Sequence, residues 1–295
     1  MIRRKKLNSA FTIIFFIILI VYSISLAAPM IWTFFVSLKT KAEYNASRYA
    51  LSEFFGLPKE WKFINYVDVF KALSVAVGSH KIMLPELFLN AFLYALISSV
   101  VMISTNCVVA YVVSKYKCAF TDFIYTMVIV FMILPVVGTL PSELQIMRFL
   151  GFYDNMIGIY LMKIIFGGTN FLIFYATFKS VSWSYAEAAF VDGASHFKVF
   201  FNIMLPMAMP TFFALTFMQF ITFWNDWQAS LMYFPSYPTV AYALYTFQVP
   251  GAGNKTTGVP YIMAACILVA VPIVIAFVLF KNKIIGTVAI GGLKG

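Results

Sequence analysis

Lys163 and Asp226 are the two ionisable residues that fall inside apolar stretches of this 295-residue sequence. A charge in such a setting is costly and usually faces a cavity or a partner. Asp226 belongs to the run Phe223-Trp224-Asn225-Asp226-Trp227, where a carboxylate and an amide sit beside indole rings. Trp224, Asn225, Asp226 and Lys163 are therefore candidates for a solute path, with helix–helix hydrogen bonding as the competing use of Asn225 and Asp226. Lys163 and Asp226 are expected at nearly the same depth, so they can pair; in the competing reading the lysine stem carries its ammonium out to the headgroups. Two such groups are too few for a proton relay or a catalytic centre. His80 and His196 have no Cys, Asp or Glu at metal-ligand spacing, so no metal site is expected. Gly251-Ala252-Gly253-Asn254-Lys255-Thr256 looks like a phosphate loop, but Asn254 stands where that motif needs Gly. No cofactor is expected on this chain.

The elements that position these residues are hydrophobic. The composition is 62% hydrophobic and 11% charged, against about a quarter charged in a soluble domain. Mean hydropathy is +0.89. The apolar excess must face lipid. Cys107, Cys118 and Cys266 lie in or beside apolar stretches without a CxxC pair and read as small buried hydrophobes. The formal charge of +10 has no basic stripe on a soluble domain to go with it, which argues against nucleic acid. Apolar stretches long enough to cross hydrocarbon, about 20 helical residues each, predict spans near residues 11–36, 87–114, 121–141, 156–178, 211–233 and 260–280. The first is too long for a signal-peptide core and reads as a retained span. Pro135, Pro141 and Pro272 can kink their helices where neighbours satisfy the freed carbonyls.

Orientation follows from charge. With both termini cytoplasmic, the inside carries eleven basic and three acidic residues. The outside carries nine basic and eight acidic residues once Asp226 is counted with it. Lys and Arg collect on the cytoplasmic side, so this arrangement is preferred. The expected organisation is a cytoplasmic N-terminus (1–10), a six-helix transmembrane domain (11–280) and a cytoplasmic tail (281–295). Its long external loop covers 37–86, its cytoplasmic loop 179–210 and its second external loop 235–259.

In the cytoplasmic loop, Ser184 and Glu187 have the S-x-x-E spacing of a capping box. Ala186, Ala188 and Ala189 favour helix, and Gly193 can take the positive φ that ends it at a sharp angle. Phe197, Phe200 and Phe201 offer an apolar face, and Pro206 and Pro210 are expected to break the chain before it re-enters the bilayer. The expectation is a short helix, a bend and a second helix at the cytoplasmic surface. Taken by itself, this pattern also fits an amphipathic connector in which Glu187 is only a cap.

Residues 187–210 read E-A-A-F-V-D-G-A-S-H-F-K-V-F-F-N-I-M-L-P-M-A-M-P. This resembles the EAA loop of bacterial ABC importer permeases. Glu187, Ala188, Ala189, Asp192, Gly193, Ala194, Ser195, Ile203, Leu205 and Pro206 fall where that family places them, and Phe197 lies among them. Met132-Ile133-Leu134-Pro135, Phe149-Leu150-Gly151-Phe152 and the W-N-D-W run are also similar, while Ser182 replaces a usual proline. Gly291-Gly292-Leu293-Lys294-Gly295 resembles the G-x-V-K-G end of the maltose-type subunits called MalG.

The resemblance implies an all-α, six-helix type I (MetI-like) permease fold in a bacterial cytoplasmic (inner) membrane. It implies a transport subunit without its own nucleotide site, paired with a second, MalF-like permease. Two ATPase subunits would hold ATP and Mg, and an extracytoplasmic binding protein would deliver a di- or oligosaccharide. The EAA residues would meet the ATPase. Tyr237, Tyr242, Tyr245 and Phe247, framed by Pro, Gly and Asn in the second external loop, would meet the binding protein unless they merely pack the loop down. The same machinery with a non-sugar cargo is one alternative; an ion-coupled secondary transporter is another.

Overall fold

Runs of Leu, Ile, Val and Phe with few breakers lose little by coiling into helices, and lipid leaves the backbone no other way to satisfy its polar groups without closing a barrel. The structure is a computed structural model and describes residues 9–47, 55–135, 137–248 and 258–291. In chain order these form α1 (Ser9–Ser37), α2 (Lys41–Ser47), α3 (Ile64–Ala72), β1 (Ser74–Val77), β2 (His80–Met83), α4 (Leu84–Lys115) and α5 (Ala119–Ile133). There follow α6 (Leu140–Phe149), α7 (Met156–Met162), α8 (Gly168–Ser180), α9 (Ser184–Val191) and α10 (His196–Val199). A π-turn (Phe200–Met204), α11 (Leu205–Trp224), α12 (Trp227–Tyr233), α13 (Val240–Gln248) and α14 (Val259–Gly291) complete the order.

Among the described residues four helical runs are long and apolar enough to cross a membrane: Thr12–Ser37, Leu84–Lys115, His196–Trp224 and Val259–Lys281. Two of the six expected spans are interrupted. The third stops at Ile133, because a proline at 135 pushes the residue before it out of the helical region, and Pro141 begins α6 instead of kinking it. The fourth is broken between Lys163 and Gly167, where Gly167 (φ 130) and Gly168 (φ 65) take backbone angles that L side chains avoid. The expected fifth span also moves, running from His196 to Trp224 and ending before Asp226.

Pro206 and Pro210 do not break the chain as expected. The π-turn shifts the register so that Leu205 N–H bonds Phe200 O, and Pro206 falls on the first turn of α11, where a missing N–H costs little. Pro210 and Pro272 are carried inside continuous helices. The backbone of α14 runs past Lys281 to Gly291, so the expected tail begins as helix. The segment 235–259, expected as the second external loop, holds α13, and its residues 249–257 lie outside the described residues.

The chain divides into two compact units, residues 1–73 with 246–271 and residues 74–245 with 272–295. In the first, Asn65 Nδ2 donates to Ser37 O (2.7 Å) and Lys39 O (3.0 Å), which ties α3 to the end of α1. In the second, an antiparallel hairpin of β1 and β2 leads directly into α4. Helix α4 is the axis of this unit and packs on α8 and α11. Its buried side carries Ala91, Ala95, Ser98, Ser99 and Ala110, small residues that let backbones approach. Phe171, Phe174 and Phe178 of α8 are fully buried against that side. Between helices in lipid such packing works through dispersion and not through expulsion of water.

Candidate functional site

The loop from Ser182 to Pro206 folds by local rules that its sequence spells out. Helix α9 ends in a Schellman motif: Ala194 N–H bonds Ala189 O (2.9 Å) and Gly193 N–H bonds Phe190 O (3.0 Å). Gly193 supplies the left-handed φ of 79° that this motif requires. Ser195 then caps α10, its Oγ accepting from Lys198 N–H at 3.4 Å. Asp192, Gly193, Ala194 and Ser195 are thus a helix end, a turn and a helix start in four residues. The expected capping box is not formed. Ser184 is already the first helical residue, its hydroxyl is hydrogen-bonded to that of Ser182 (2.8 Å), and the Glu187 N–H bonds Trp183 O (3.1 Å) while its carboxylate makes no hydrogen bond among the described residues.

Helix α9 has two faces. Ala186 is fully buried, and Ala189 and Phe190 pack against the cluster of Val199, Phe200 and Met204. Glu187, Ala188, Val191 and Asp192 face outward. Val191 is 87% exposed, Tyr185 55% and Phe197 78%. The sequence reading missed Tyr185 and Val191, which share no motif but lie on the open face. Of the three phenylalanines expected on an apolar face, Phe200 is buried while Phe197 and Phe201 stay exposed. Leu205 is half-buried and Pro206 exposed. The result is an outward surface of two carboxylates, Glu187 and Asp192, with small residues and the large apolar side chains of Tyr185, Val191 and Phe197.

A second constellation gathers at the helix breaks. Asp226 caps α12, with Oδ1 accepting from Ala229 N–H at 2.9 Å, while Oδ2 accepts from Tyr94 Oη at 3.4 Å. Lys163 does not form an ion pair with Asp226; its Nζ lies over the rings of Phe223 (4.7 Å) and Tyr94 (5.9 Å). Cation–π placement answers the charge without a carboxylate contact. Trp224 is buried against Phe88, and Asn225 is exposed, its Nδ2 donating to Ile221 O at 2.8 Å. Tyr94 and Asn106 of α4 escaped the sequence reading, since nothing in an apolar helix marks which polar residue points inward. Asn106 is fully buried and stitches the broken span, its Nδ2 donating to Ile165 O (3.3 Å) and its Oδ1 accepting from Gly167 N–H (3.0 Å).

Residues 107–284 match the family described as binding-protein-dependent transport system inner membrane component. The chain belongs to this family. The permease is 26% identical over 281 residues to the diacetylchitobiose uptake system permease protein NgcG of Streptomyces coelicolor, covering 94% of this chain and 87% of that one. It is 25% identical to the sulfoquinovosyl glycerol transport system permease protein SmoH of Agrobacterium fabrum, over 90% of this chain and 88% of the relative. In fold it is similar to a chain in the crystal structure of a bacterial ABC transporter involved in import of the acidic polysaccharide alginate. That likeness has a TM-score of 0.76 at 21% identity and covers 96% of this chain and 99% of the other.

In the permease, Tyr245 of α13 stacks on Trp227 of α12 with centroids 3.8 Å apart and planes at 10°. Tyr242 and Phe247 are half-buried, and Tyr237 is 42% exposed. The aromatics therefore divide between packing and surface. Nearby, Asp154 accepts from Ser236 N–H (2.9 Å) and Ser236 Oγ (2.6 Å), and Tyr233 Oη donates to Glu143 at 2.7 Å. These bonds tie residues 143–154 to residues 233–236. Of the three cysteines, Cys107 is buried, Cys266 is half-buried and Cys118 is exposed, because it precedes α5 on a turn and not in a span.

Proposed function

We propose that this chain is one permease subunit of an ATP-driven importer that takes up a carbohydrate delivered by an extracytoplasmic binding protein. The observation that carries the reading is the outward face of α9, a preformed helix with Glu187, Ala188 and Val191 exposed and its inner face locked into the protein. An exposed apolar surface rimmed by charge is a docking surface, and here it belongs to a family that works by assembly. The cargo class is supported by relatives whose names specify diacetylchitobiose and sulfoquinovosyl glycerol uptake.

In this reading the chain crosses the membrane six times with both termini in the cytoplasm of a bacterial cell. The interrupted third and fourth spans cross as helix pairs, a form tolerated where the break is buried in protein or lines a cavity. Glu187, Ala188, Ala189, Asp192, Gly193, Ala194, Ser195, Phe197, Leu205 and Pro206 present or support the surface that meets an ATPase subunit. Two such ATPases bind ATP and Mg, and their closure drives alternating access through this chain and a MalF-like partner permease. Trp224, Asn225, Asp226 and Lys163 flank the sugar path at the helix breaks, and the exposed part of the Tyr237–Phe247 segment faces the binding protein.

The test is ATP hydrolysis by the co-purified complex in lipid, with binding protein loaded from a panel of sugars. Stimulation by one loaded sugar, lost in Glu187→Ala and Gly193→Asp while assembly survives, is the expected result. Stimulation by a non-sugar solute alone would overturn the cargo, and absence of any co-purifying ATPase would overturn the importer.

A further inference from the structure

Four aromatic rings close a circuit around α9. Trp183 precedes the helix, Phe190 lies in its last turn, His196 opens α10, and Tyr116 follows the end of α4. Ring centroids lie 5.8 Å apart for Tyr116–Trp183, 5.6 Å for Tyr116–His196, 4.8 Å for Phe190–His196 and 6.0 Å for Trp183–Phe190. Tyr116 Oη and His196 Nδ1 are hydrogen-bonded at 2.7 Å. One residue earlier, Lys115 Nζ donates to Val181 O at 2.6 Å and lies 5.9 Å from the Trp183 ring. Consecutive residues at the end of α4 therefore hold the chain just before α9 and just after it.

A helix of eight residues is too short to keep its own direction in water, so its orientation depends on what holds its ends. One anchor would leave a pivot; two anchors on one rigid element remove it. Packed rings deform little, so a push on the outer face of α9 passes into α4 and is not dissipated in the loop. Helix α4 also carries Asn106, which stitches the broken span, and Tyr94, which bonds Asp226. The load therefore arrives at the helix breaks.

We propose that Lys115 and Tyr116 are positioning residues of the transport cycle, clamping α9 to α4 so that ATP-driven displacement of α9 moves α4 with it. The proposal rests on the reading of α9 as the ATPase-facing surface.

The test uses the co-purified complex with its ATPases in lipid, in a Cys118→Ser, Cys266→Ala background, with ATP plus vanadate as the driver. An environment-sensitive fluorophore is placed on α4 through Val112→Cys, and separately on α9 through Ser184→Cys, an exposed residue outside the face that meets the ATPase. Both probes are expected to respond in the otherwise unaltered complex. Tyr116→Phe keeps the ring and loses the hydroxyl, and Lys115→Met keeps the stem and loses the donor. Each is expected to shrink the α4 response about threefold or more, the scale of one lost hydrogen bond, while the α9 response persists. Lys115→Arg, which still donates to Val181 O, is expected to retain the α4 response. A full α4 response in both Tyr116→Phe and Lys115→Met overturns the clamp and leaves the docking reading standing. If the α9 probe fails to respond even with the clamp intact, the docking reading falls and takes the clamp with it. Should Tyr116→Phe fail to assemble, His196→Phe, which keeps a ring and loses Nδ1, is read in its place.

Discussion

Gly193 shows how much one residue can decide. Its φ of 79° is a region an L side chain enters at roughly 1 kcal/mol or more, and both Schellman hydrogen bonds depend on it. Gly193→Ala is expected to lower the stability of the assembled complex by about 1 kcal/mol, and Gly193→Asn by less, since Asn tolerates left-handed angles. Thermal unfolding of the detergent-purified complex measures this; equal losses for both variants would show that the turn conformation is not what matters. The D-G-A-S order was legible because helix ends obey local rules. The capping box was not, because Ser182 competes for the Ser184 hydroxyl, and spacing alone does not say which residue starts the helix.

At the scale of elements, the helix breaks were the least legible feature. Hydropathy alone makes 156–178 one span, yet the chain opens at 163–167 where two glycines and a buried amide make it affordable. Asn106→Leu leaves Ile165 O and Gly167 N–H without their Asn106 partner, at up to about 1–3 kcal/mol for each part-buried group. Faster amide hydrogen exchange at residues 164–168 is the expected outcome, and unchanged exchange would mean the break holds itself. Asp226 allows a finer separation of roles. Asp226→Asn retains an oxygen to cap α12 and Asp226→Ala loses it, costing about 1 kcal/mol. If uptake survives in Asn and fails in Ala, Asp226 acts as a cap; if both fail, the charge itself is required.

At the scale of the whole molecule, charge asymmetry predicts which surfaces face the cytoplasm. In a background lacking Cys118 and Cys266, a membrane-impermeant maleimide applied to intact cells is expected to label Glu60→Cys and spare Glu187→Cys. The reverse pattern would invert the topology and remove α9 from any ATPase.

The kind of element and its chemistry at short range were written in the chain: apolar runs specify helices because lipid offers the backbone no other partners, and E-A-A with D-G-A-S specifies helix, turn and helix because caps act over a few residues. Long-range choices were not. That Lys163 lies over Phe223 and not against Asp226, and that Lys115 reaches Val181, 66 residues on, depends on which faces of the helices meet. Only tertiary packing sets those rotations, because an apolar helix that faces lipid on one side and protein on another carries little periodic signal to tell them apart.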